Sequence, residues 1–179
     1  MKKSVLAVGL LVVIGVGVFA VKEVGKQPTV AVVGTPTASA SRIATTSNGT
    51  QNQNLTDLSF KTVNGRTIQV NPNEKTVLHF MTSSCASCLP TEQMLTKFAH
   101  MPGVQLISVD INPQNDSKST IQQFQQVAKS NWSYVMETNQ KLINEFHVTE
   151  LDTIVVLQHN RVIFDGVAPS AAQLQKVLV

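Results

Sequence analysis

The sequence contains little charge, little aromatic surface and little cysteine. Charged residues make up 14% of the 179 residues, aromatic residues make up 5%, and cysteine occurs twice. Two cysteines allow at most one disulfide within the chain, and they supply only half of the four ligands that a closed zinc site needs. A disulfide-rich secreted scaffold and an all-cysteine zinc module are therefore excluded.

Basic charge is also scarce in the part of the chain that can fold. The net charge of the whole sequence is +3. From residue 58 onward, nine basic residues (61, 66, 75, 97, 118, 129, 141, 161 and 176) balance nine acidic residues (74, 92, 110, 116, 137, 145, 150, 152 and 165). A nucleic-acid-binding surface needs a clustered excess of Lys and Arg, so we expect no nucleic acid among the partners.

An uncharged apolar segment follows the first three residues and runs from Ser4 to Val21. At about 1.5 Å per residue, a helix of this length spans roughly 27 Å, close to the hydrocarbon thickness of a bilayer. Because a cleavable signal usually has a shorter apolar core, residues 1–21 are predicted to form a membrane anchor, with a cleaved signal sequence as the alternative. Lys2 and Lys3 favour a cytoplasmic N-terminus, so the remainder is expected on the extracytoplasmic side.

Residues 22–57 are rich in Thr, Ser, Ala, Asn and Gln and have no sustained apolar period. They offer too little large apolar surface to compensate for the entropy lost on ordering. We therefore predict a flexible tether between the anchor and the domain. The short apolar patch from Val30 to Val33 is the one place in it that could form a strand.

Residues 58–179 contain regular apolar segments, enough for one domain with a hydrophobic core. Asn64-Gly65 between two alternating segments predicts an opening β-hairpin. The periods that follow predict strand, helix, strand, helix, short strand, short helix, a second hairpin and a final helix, which makes the fold class α/β with a mixed sheet. The second helix is expected to bury one apolar face made of Ile121, Phe124 and Val127.

Both cysteines lie in the segment SSCASC, as Cys85 and Cys88, where the predicted strand TVLHFMT gives way to a helix. At a helix start, positions i and i+3 share one face, so the two sulfur atoms can form a disulfide. Cys85 lies nearer the free backbone amides, which stabilise a thiolate, so Cys85 is predicted to be the nucleophile and Cys88 the resolving thiol. The alternatives are a metal site and a structural disulfide, although so short a loop adds little stability.

The segment TVLHFMTSSCASC resembles the active-site strand and turn of thioredoxin-like proteins. The anchor, tether and opening hairpin resemble their membrane-bound TlpA/ResA-like branch. The resemblance covers about residues 58–179 and implies a thioredoxin-like mixed β-sheet flanked by helices, with an N-terminal β-hairpin. It also implies an extracytoplasmic thiol-disulfide oxidoreductase. The sequence departs from the pattern at Ser84, where relatives have an aromatic residue, and at the Ala-Ser pair between the cysteines, where relatives have a pair containing proline.

Two residues near the cysteines are candidates for proton relay or tuning. His79 occupies the position where thioredoxins place a buried acid, and a base there could deprotonate Cys88. The simpler interpretation of His79 is a neutral core histidine with its hydrogen bonds satisfied. Glu92 lies four residues after Cys88 on about the same helix face and could also relay a proton, but a solvated carboxylate in the first helical turn is the expectation that we favour.

Asp152 is the third candidate, because it stands where thioredoxin-like proteins have a cis-proline facing the cysteines. A cis bond before a residue other than proline costs about 2.5–4 kcal/mol, so the bond before Asp152 is predicted to be trans. Near the cysteines, an ionised Asp152 would oppose the Cys85 thiolate and favour the disulfide, as in a reductant. The alternative is a solvent-facing aspartate in a turn, or an acceptor of an N–H, with no influence on sulfur.

The sequence therefore predicts a membrane-tethered thiol-disulfide oxidoreductase, acting as a protein disulfide reductase, with no cofactor and no resident metal. Its predicted partners are extracytoplasmic protein thiols and disulfides, with a membrane thiol carrier as electron donor. Two other classes stay open. One is a Sco-like copper-delivery module that uses Cys85, Cys88 and a histidine, since thiolates suit Cu(I). The other is a scaffold domain without catalytic activity.

Overall fold

The computed structural model describes residues 58–179. The predicted anchor (1–21) and the predicted tether (22–57) lie outside the described residues. Within residues 58–179, every helix is too short or too polar to cross a membrane.

The elements of the described part follow the predicted order. They are β1 (Ser59–Lys61), β2 (Thr67–Gln69), β3 (Lys75–Met81), α1 (Cys88–Leu95), β4 (Val104–Asp110), α2 (Lys118–Ala128), β5 (Ser133–Met136), α3 (Lys141–Glu145), β6 (Thr153–Gln158), β7 (Arg161–Val167) and α4 (Ala171–Leu178).

The strands form two sheets. β1 and β2 make the predicted antiparallel hairpin, whose turn contains Gly65 with a φ of 81°, a conformation that glycine adopts without strain. The other five strands form a mixed sheet in the order β5-β4-β3-β6-β7. β3 is parallel to β4, which is parallel to β5, whereas β6 is antiparallel to both β3 and β7. The predicted mixed sheet is thus confirmed, with β3 at its centre.

Alternation along β3 sends its side chains to two different layers. Leu78 and Phe80 pack in one cluster with the hairpin and α3. Val77 packs on the other face against α1 and α4, and Met81 packs beside α2. His79 lies between Val77 and Met81 in the sequence, so the pleat directs it to the face that carries α1. This register places a titratable ring beneath the cysteine helix.

The second helix differs from its prediction on one point. Ile121 and Phe124 are buried as expected, but Val127 is 60% exposed and Ala128 is buried in its place. At 100° per residue, Ala128 lies almost above Ile121, whereas Val127 lies further round the helix than Phe124. The buried stripe of α2 therefore centres on Ile121 and Ala128, and Val127 faces outward.

Candidate active site

The cysteines lie at the predicted junction of a strand and a helix. β3 ends at Met81, a short turn follows, and α1 begins at Cys88. In the turn, the Cys85 N–H donates to the carbonyl of Thr82 at 3.1 Å. A disulfide joins Cys85 and Cys88, with the two Cα atoms 5.3 Å apart. The i, i+3 spacing thus brings the sulfur atoms together as the sequence predicts.

The two sulfur atoms have different surroundings. Cys85 retains 8% of its surface exposed, whereas Cys88 is completely buried. The Cys88 N–H donates to Cys85 Sγ at 3.2 Å, and Ser87 Oγ lies 3.3 Å from the same sulfur. Cys88 is the first residue of α1, so its N–H is one of the helix-terminal amides without an intrahelical acceptor, and Cys85 Sγ accepts from it. The geometry favours a thiolate at Cys85 and makes Cys85 the sulfur that a partner can reach.

A groove with a volume of about 400 Å³ opens beside Cys85. Its first wall is the cysteine turn with Leu89, and its second wall is the exposed side of α2. Uncharged side chains line it throughout: Ser83, Ser84, Cys85, Ala86, Leu89, Thr120, Gln123, Phe124 and Val127. The outward position of Val127 gives this second wall an apolar side chain beside that of Phe124.

The structure brings the three predicted tuning residues into one buried cluster. His79 Nδ1 lies 2.7 Å from Glu92 Oε1, and His79 Nε2 lies 3.0 Å from Asp152 Oδ1. All three residues are buried. They come from β3, α1 and the turn directly before β6, so only the folded chain assembles them. We call His79, Glu92 and Asp152 the buried charged cluster.

The expectation of a solvated Glu92 is wrong, because α1 turns this carboxylate into the sheet. Glu92 Oε1 also accepts a hydrogen bond from Ser108 Oγ at 2.5 Å, and Oε2 accepts one from the Tyr134 hydroxyl at 2.8 Å. Trp132 Nε1 donates to Ser108 Oγ at 2.8 Å and so orients that hydroxyl. A buried carboxylate needs such partners to offset its desolvation.

Asp152 lies in a turn but is buried, so the alternative of a solvent-facing aspartate is wrong. The described residues contain no cis peptide bond, which agrees with the predicted trans bond before Asp152. The residue has a φ of 64°, in the left-handed region that aspartate enters more readily than most residues. Its N–H donates to the carbonyl of Phe80, and its own carbonyl accepts from Ala168. These two bonds hold the side chain under the cysteines.

The surroundings of His79 favour its charged form over the neutral core histidine of the simpler expectation. Burial alone would lower the pKa of His79, but the hydrogen bonds and charges of Asp152 and Glu92 outweigh it and raise the pKa to about 9. Burial, with the charge of Glu92, raises the pKa of Tyr134, so its hydroxyl remains a donor to Glu92. An imidazolium between two carboxylates therefore lies beneath the active-site helix.

This cluster touches the cysteine pair through Cys88. One potential ligand atom each from His79, Cys88 and Asp152 lies within 4.8 Å of the other two. The arrangement can exchange a proton with the Cys88 thiol or hold a metal ion once the disulfide is reduced. Ser108, Trp132 and Tyr134 support it and were missed from the sequence. A polar residue in the apolar strand VQLISVDI was the available signal for Ser108.

Comparison with known proteins agrees with this architecture, although no family model matches the chain. The sporulation thiol-disulfide oxidoreductase A of Bacillus subtilis is 28% identical over 102 residues, which cover 55% of this chain and 62% of that relative. The crystal structure of StoA from Bacillus subtilis has a TM-score of 0.57 and 25% identity, covering 67% of this chain and 94% of that chain.

More distant solved structures share the fold. A thioredoxin-like protein from Aeropyrum pernix has a TM-score of 0.59 at 23% identity, covering 68% of this chain and 87% of that chain. A secreted disulfide oxidoreductase from Mycobacterium tuberculosis has a TM-score of 0.60 at 16% identity, covering 70% of this chain and 97% of that chain. The chain therefore has the predicted thioredoxin-like fold, and in sequence and structure it is similar to the thiol-disulfide oxidoreductase StoA.

Proposed function

We propose that this protein is a thiol-disulfide oxidoreductase that exchanges its Cys85–Cys88 pair with the thiols and disulfides of other proteins. The observation that carries the proposal is the asymmetry of the disulfide. Cys85 faces a groove and accepts a hydrogen bond from a helix-terminal amide, whereas Cys88 is enclosed beside a charged cluster. A structural disulfide needs neither feature. The likeness to StoA supports the same chemistry.

The exchange proceeds in two displacements. In the reduced protein, the Cys85 thiolate attacks one sulfur of a partner disulfide, forms a mixed disulfide and releases the partner's other sulfur as a thiolate. The Cys88 thiolate then attacks Cys85 Sγ and releases the second partner thiolate. Two electrons pass to the partner, both partner sulfurs end as thiols after protonation, and Cys85–Cys88 ends as the disulfide.

The buried charged cluster assists the second displacement. Since the pKa of His79 is raised to about 9, we assign this residue the role of a cation near neutral pH rather than that of the base that the sequence suggested. Its positive charge instead favours the thiolate of Cys88, and the Asp152 carboxylate beside it is positioned to accept the thiol proton. The negative charge of Asp152 is shared with His79, so its opposition to the Cys85 thiolate is smaller than for a lone carboxylate.

An insulin-reduction assay tests the activity. The full chain in detergent micelles, with dithiothreitol as electron donor, is expected to accelerate insulin precipitation clearly above the Cys85→Ser variant. Equal rates for the two proteins would support a scaffold domain without catalytic activity and would end the proposal.

We further propose that the domain acts as a reductant outside the cytoplasm, tethered by residues 1–21 and supplied with electrons by a membrane thiol carrier. The apolar N-terminal segment supports the location, and an acidic group beneath the cysteines supports the direction. Equilibration with glutathione gives the reduction potential. A value near about −270 mV agrees with a reductant, whereas a value near about −120 mV would assign the role of an oxidant.

A copper-delivery module is the second candidate, because His79, Cys88 and Asp152 lie within the span of a metal site. Both ring nitrogens of His79 are hydrogen-bonded to carboxylates, however, so neither is free to bind a metal ion while the ring is protonated. Anaerobic titration of the reduced full chain with Cu(I) separates the two functions. Stoichiometric binding that is lost in a His79→Gln variant would favour copper delivery over disulfide exchange.

A further inference from the structure

A second acidic pair lies at the other side of the cysteine turn. Asp110 is the last residue of β4 and pairs in register with Met81, the last residue of β3. Asp116 lies six residues later, directly before the α2 N-cap Ser117. The Asp116 carboxylate accepts hydrogen bonds from the Ser83 N–H, at 2.9 Å, and from the Ser83 hydroxyl. This Ser83–Asp116 tie joins the turn that carries Cys85 to the start of α2.

One buried carboxyl oxygen of Asp110 has no hydrogen-bond donor among the described residues. Asp110 is completely buried, its Oδ1 accepts only a long bond of 3.4 Å from the Asn112 N–H, and its Oδ2 has no hydrogen-bond partner among residues 58–179. Burial raises the pKa of Asp110 to about 7, and the neighbouring Asp116 adds to the shift. A proton on Asp110 satisfies the buried oxygen, because it can be donated to Asp116.

Asp116 behaves in the opposite way. Burial opposes its ionisation, but hydrogen bonds from the side chain and backbone of Ser83 outweigh burial and lower its pKa, with smaller contributions from Asp110 and Thr120. Near neutral pH the pair therefore consists of an acid and a carboxylate that share one proton. The carboxylate is the member that holds Ser83.

Few other charges act on Asp110. The Glu137 N–H donates to the Asp110 carbonyl, but the Glu137 carboxylate accepts from the amides of Asn139 and Leu142. On the same face of β4, Ser108 is bound to Glu92, which belongs to the buried charged cluster. Among the described residues, Asp116 is the titratable group that shifts the pKa of Asp110.

The Ser83–Asp116 tie joins the first wall of the groove to the segment that leads into its second wall. Ser83 belongs to the first wall, and Thr120, in the first turn of α2, belongs to the second. The tie therefore sets the distance between the cysteine turn and the apolar side of α2. A partner segment that brings its sulfur to Cys85 has to fit between these two walls.

We propose that Asp116 is a positioning residue for the exchange reaction, which holds the Cys85 turn against α2, and that a proton shared with Asp110 keeps this tie closed. The inference rests on the proposed function and adds a determinant of substrate binding to it. Loss of the proton places two negative charges in one buried site, so their repulsion weakens the tie and the groove loses its shape. Substrate binding then weakens as the pH rises past neutrality.

The kinetic test uses the full chain in detergent and a neutral peptide with one internal disulfide as substrate. For the wild type, KM is expected to rise roughly two- to tenfold between pH 6 and 8, the effect of losing one hydrogen bond. Asp110→Asn mimics the protonated acid and is expected to keep the low KM at both pH values. Asp116→Ala is expected to have the high KM at both. Asp165→Asn and Asp165→Ala, changes of an exposed aspartate on β7, are the matched controls and are expected to follow the wild type.

Ionisation of Cys85 changes the rate with pH in every variant, so only the difference in KM between Asp110→Asn and the wild type tests the tie. A rise in KM that persists in Asp110→Asn, or a KM for Asp116→Ala equal to that of Asp165→Ala, would overturn the proposal.

A structural measurement keeps this test separate from the proposed function. If the wild type has no more activity than Cys85→Ser, the proposed function fails, and the tie is then tested by NMR alone. The Asp110 carboxyl resonance and the Ser83 amide resonance are expected to titrate together near pH 7, and the Ser83 change is expected to vanish in Asp110→Asn. A Ser83 amide that does not respond to pH would refute the tie.

Discussion

Single side chains decide the chemistry of this site, and His79 is the one with the largest effect. Its ring bridges Glu92 and Asp152 at 2.7 and 3.0 Å in a region closed to solvent. A protonated His79 lies between two buried carboxylates, so removing the ring leaves two negative charges without a cation. The cysteines, the cluster and the Ser83–Asp116 tie therefore respond to pH and to substitution in different, measurable ways.

The charge of His79 predicts how stability changes with pH. The pKa is raised from 6.5 to about 9 on folding, so the folded state keeps a proton that the unfolded state has lost between these values. This contribution is complete below pH 6.5 and disappears as the pH rises towards 9, with a slope of about 1.4 kcal/mol per pH unit. Urea unfolding of the oxidised protein from pH 6 to 9 measures it.

A His79→Gln variant, which cannot titrate, is the control and is expected to lose this slope. If that variant does not fold, NMR titration of the wild-type ring answers the same question. A histidine that loses its proton below pH 7 would contradict the charged cluster.

The unequal surroundings of the cysteines predict where a partner is trapped. Cys88→Ser removes the resolving thiol but leaves Cys85 at the groove, so mixed disulfides with partner proteins are expected to accumulate. Non-reducing gels of membranes reveal them. Cys85→Ser is the matched control, and adducts found mainly on Cys88 in that variant would reverse the two roles.

The position of Asp152 predicts a change in reduction potential. Asp152→Asn leaves His79 less neutralised beside Cys88, which stabilises the thiolate and hence the reduced form. The potential is expected to become less negative by on the order of 30 mV, the equivalent of a tenfold change for a two-electron couple. Glutathione equilibration measures the shift. Equal potentials in the two proteins would leave Asp152 with a structural role.

At the scale of elements, helix α2 combines a supporting and a functional role. Its N-cap Ser117 forms a capping box with Thr120, and Ser170 forms the same box with Gln173 at α4. The two caps are chemically alike, but only the α2 cap adjoins Asp116 and the groove. They offer a matched pair in which stability and activity can be separated.

Ser117→Ala and Ser170→Ala are each expected to lower the free energy of unfolding by about 1 kcal/mol, the usual effect of losing an N-cap. Only Ser117→Ala is expected to raise KM for a peptide disulfide, since it loosens the segment that holds Ser83. Denaturant unfolding and steady-state kinetics provide the two measurements. An equal effect of both variants on KM would show that α2 acts through overall stability.

At the scale of the whole molecule, the proposed extracytoplasmic location rests on the N-terminal residues of the sequence alone. An anchor with Lys2 and Lys3 in the cytoplasm would leave everything after about residue 22 outside and attached. Protease added to spheroplasts is expected to remove the domain, while a cytoplasmic marker protein survives. A freely soluble extracytoplasmic form would show that the apolar segment is cleaved.

The sequence by itself determined the order of strands and helices, the hairpin at Asn64-Gly65 and the CxxC at the start of α1. These features depend on local periods and on turn residues, which act within a few positions of the chain. The i, i+3 spacing of Cys85 and Cys88 also requires only one helical turn, so the disulfide follows from neighbouring residues.

Only the tertiary structure decided what His79, Glu92 and Asp152 do. Glu92 lies 13 residues after His79, and Asp152 lies 60 residues after Glu92. Their side chains come into contact because the pleat of β3, the rotation of α1 and the left-handed backbone at Asp152 direct them to the same place. Each was a candidate for proton relay or tuning from its position relative to the cysteines, but the sequence predicted neither the burial of Glu92 nor the contacts among the three. Their contacts raise the pKa of His79 and favour its charged form, because pKa values depend on desolvation and on partners in space, which no local pattern contains.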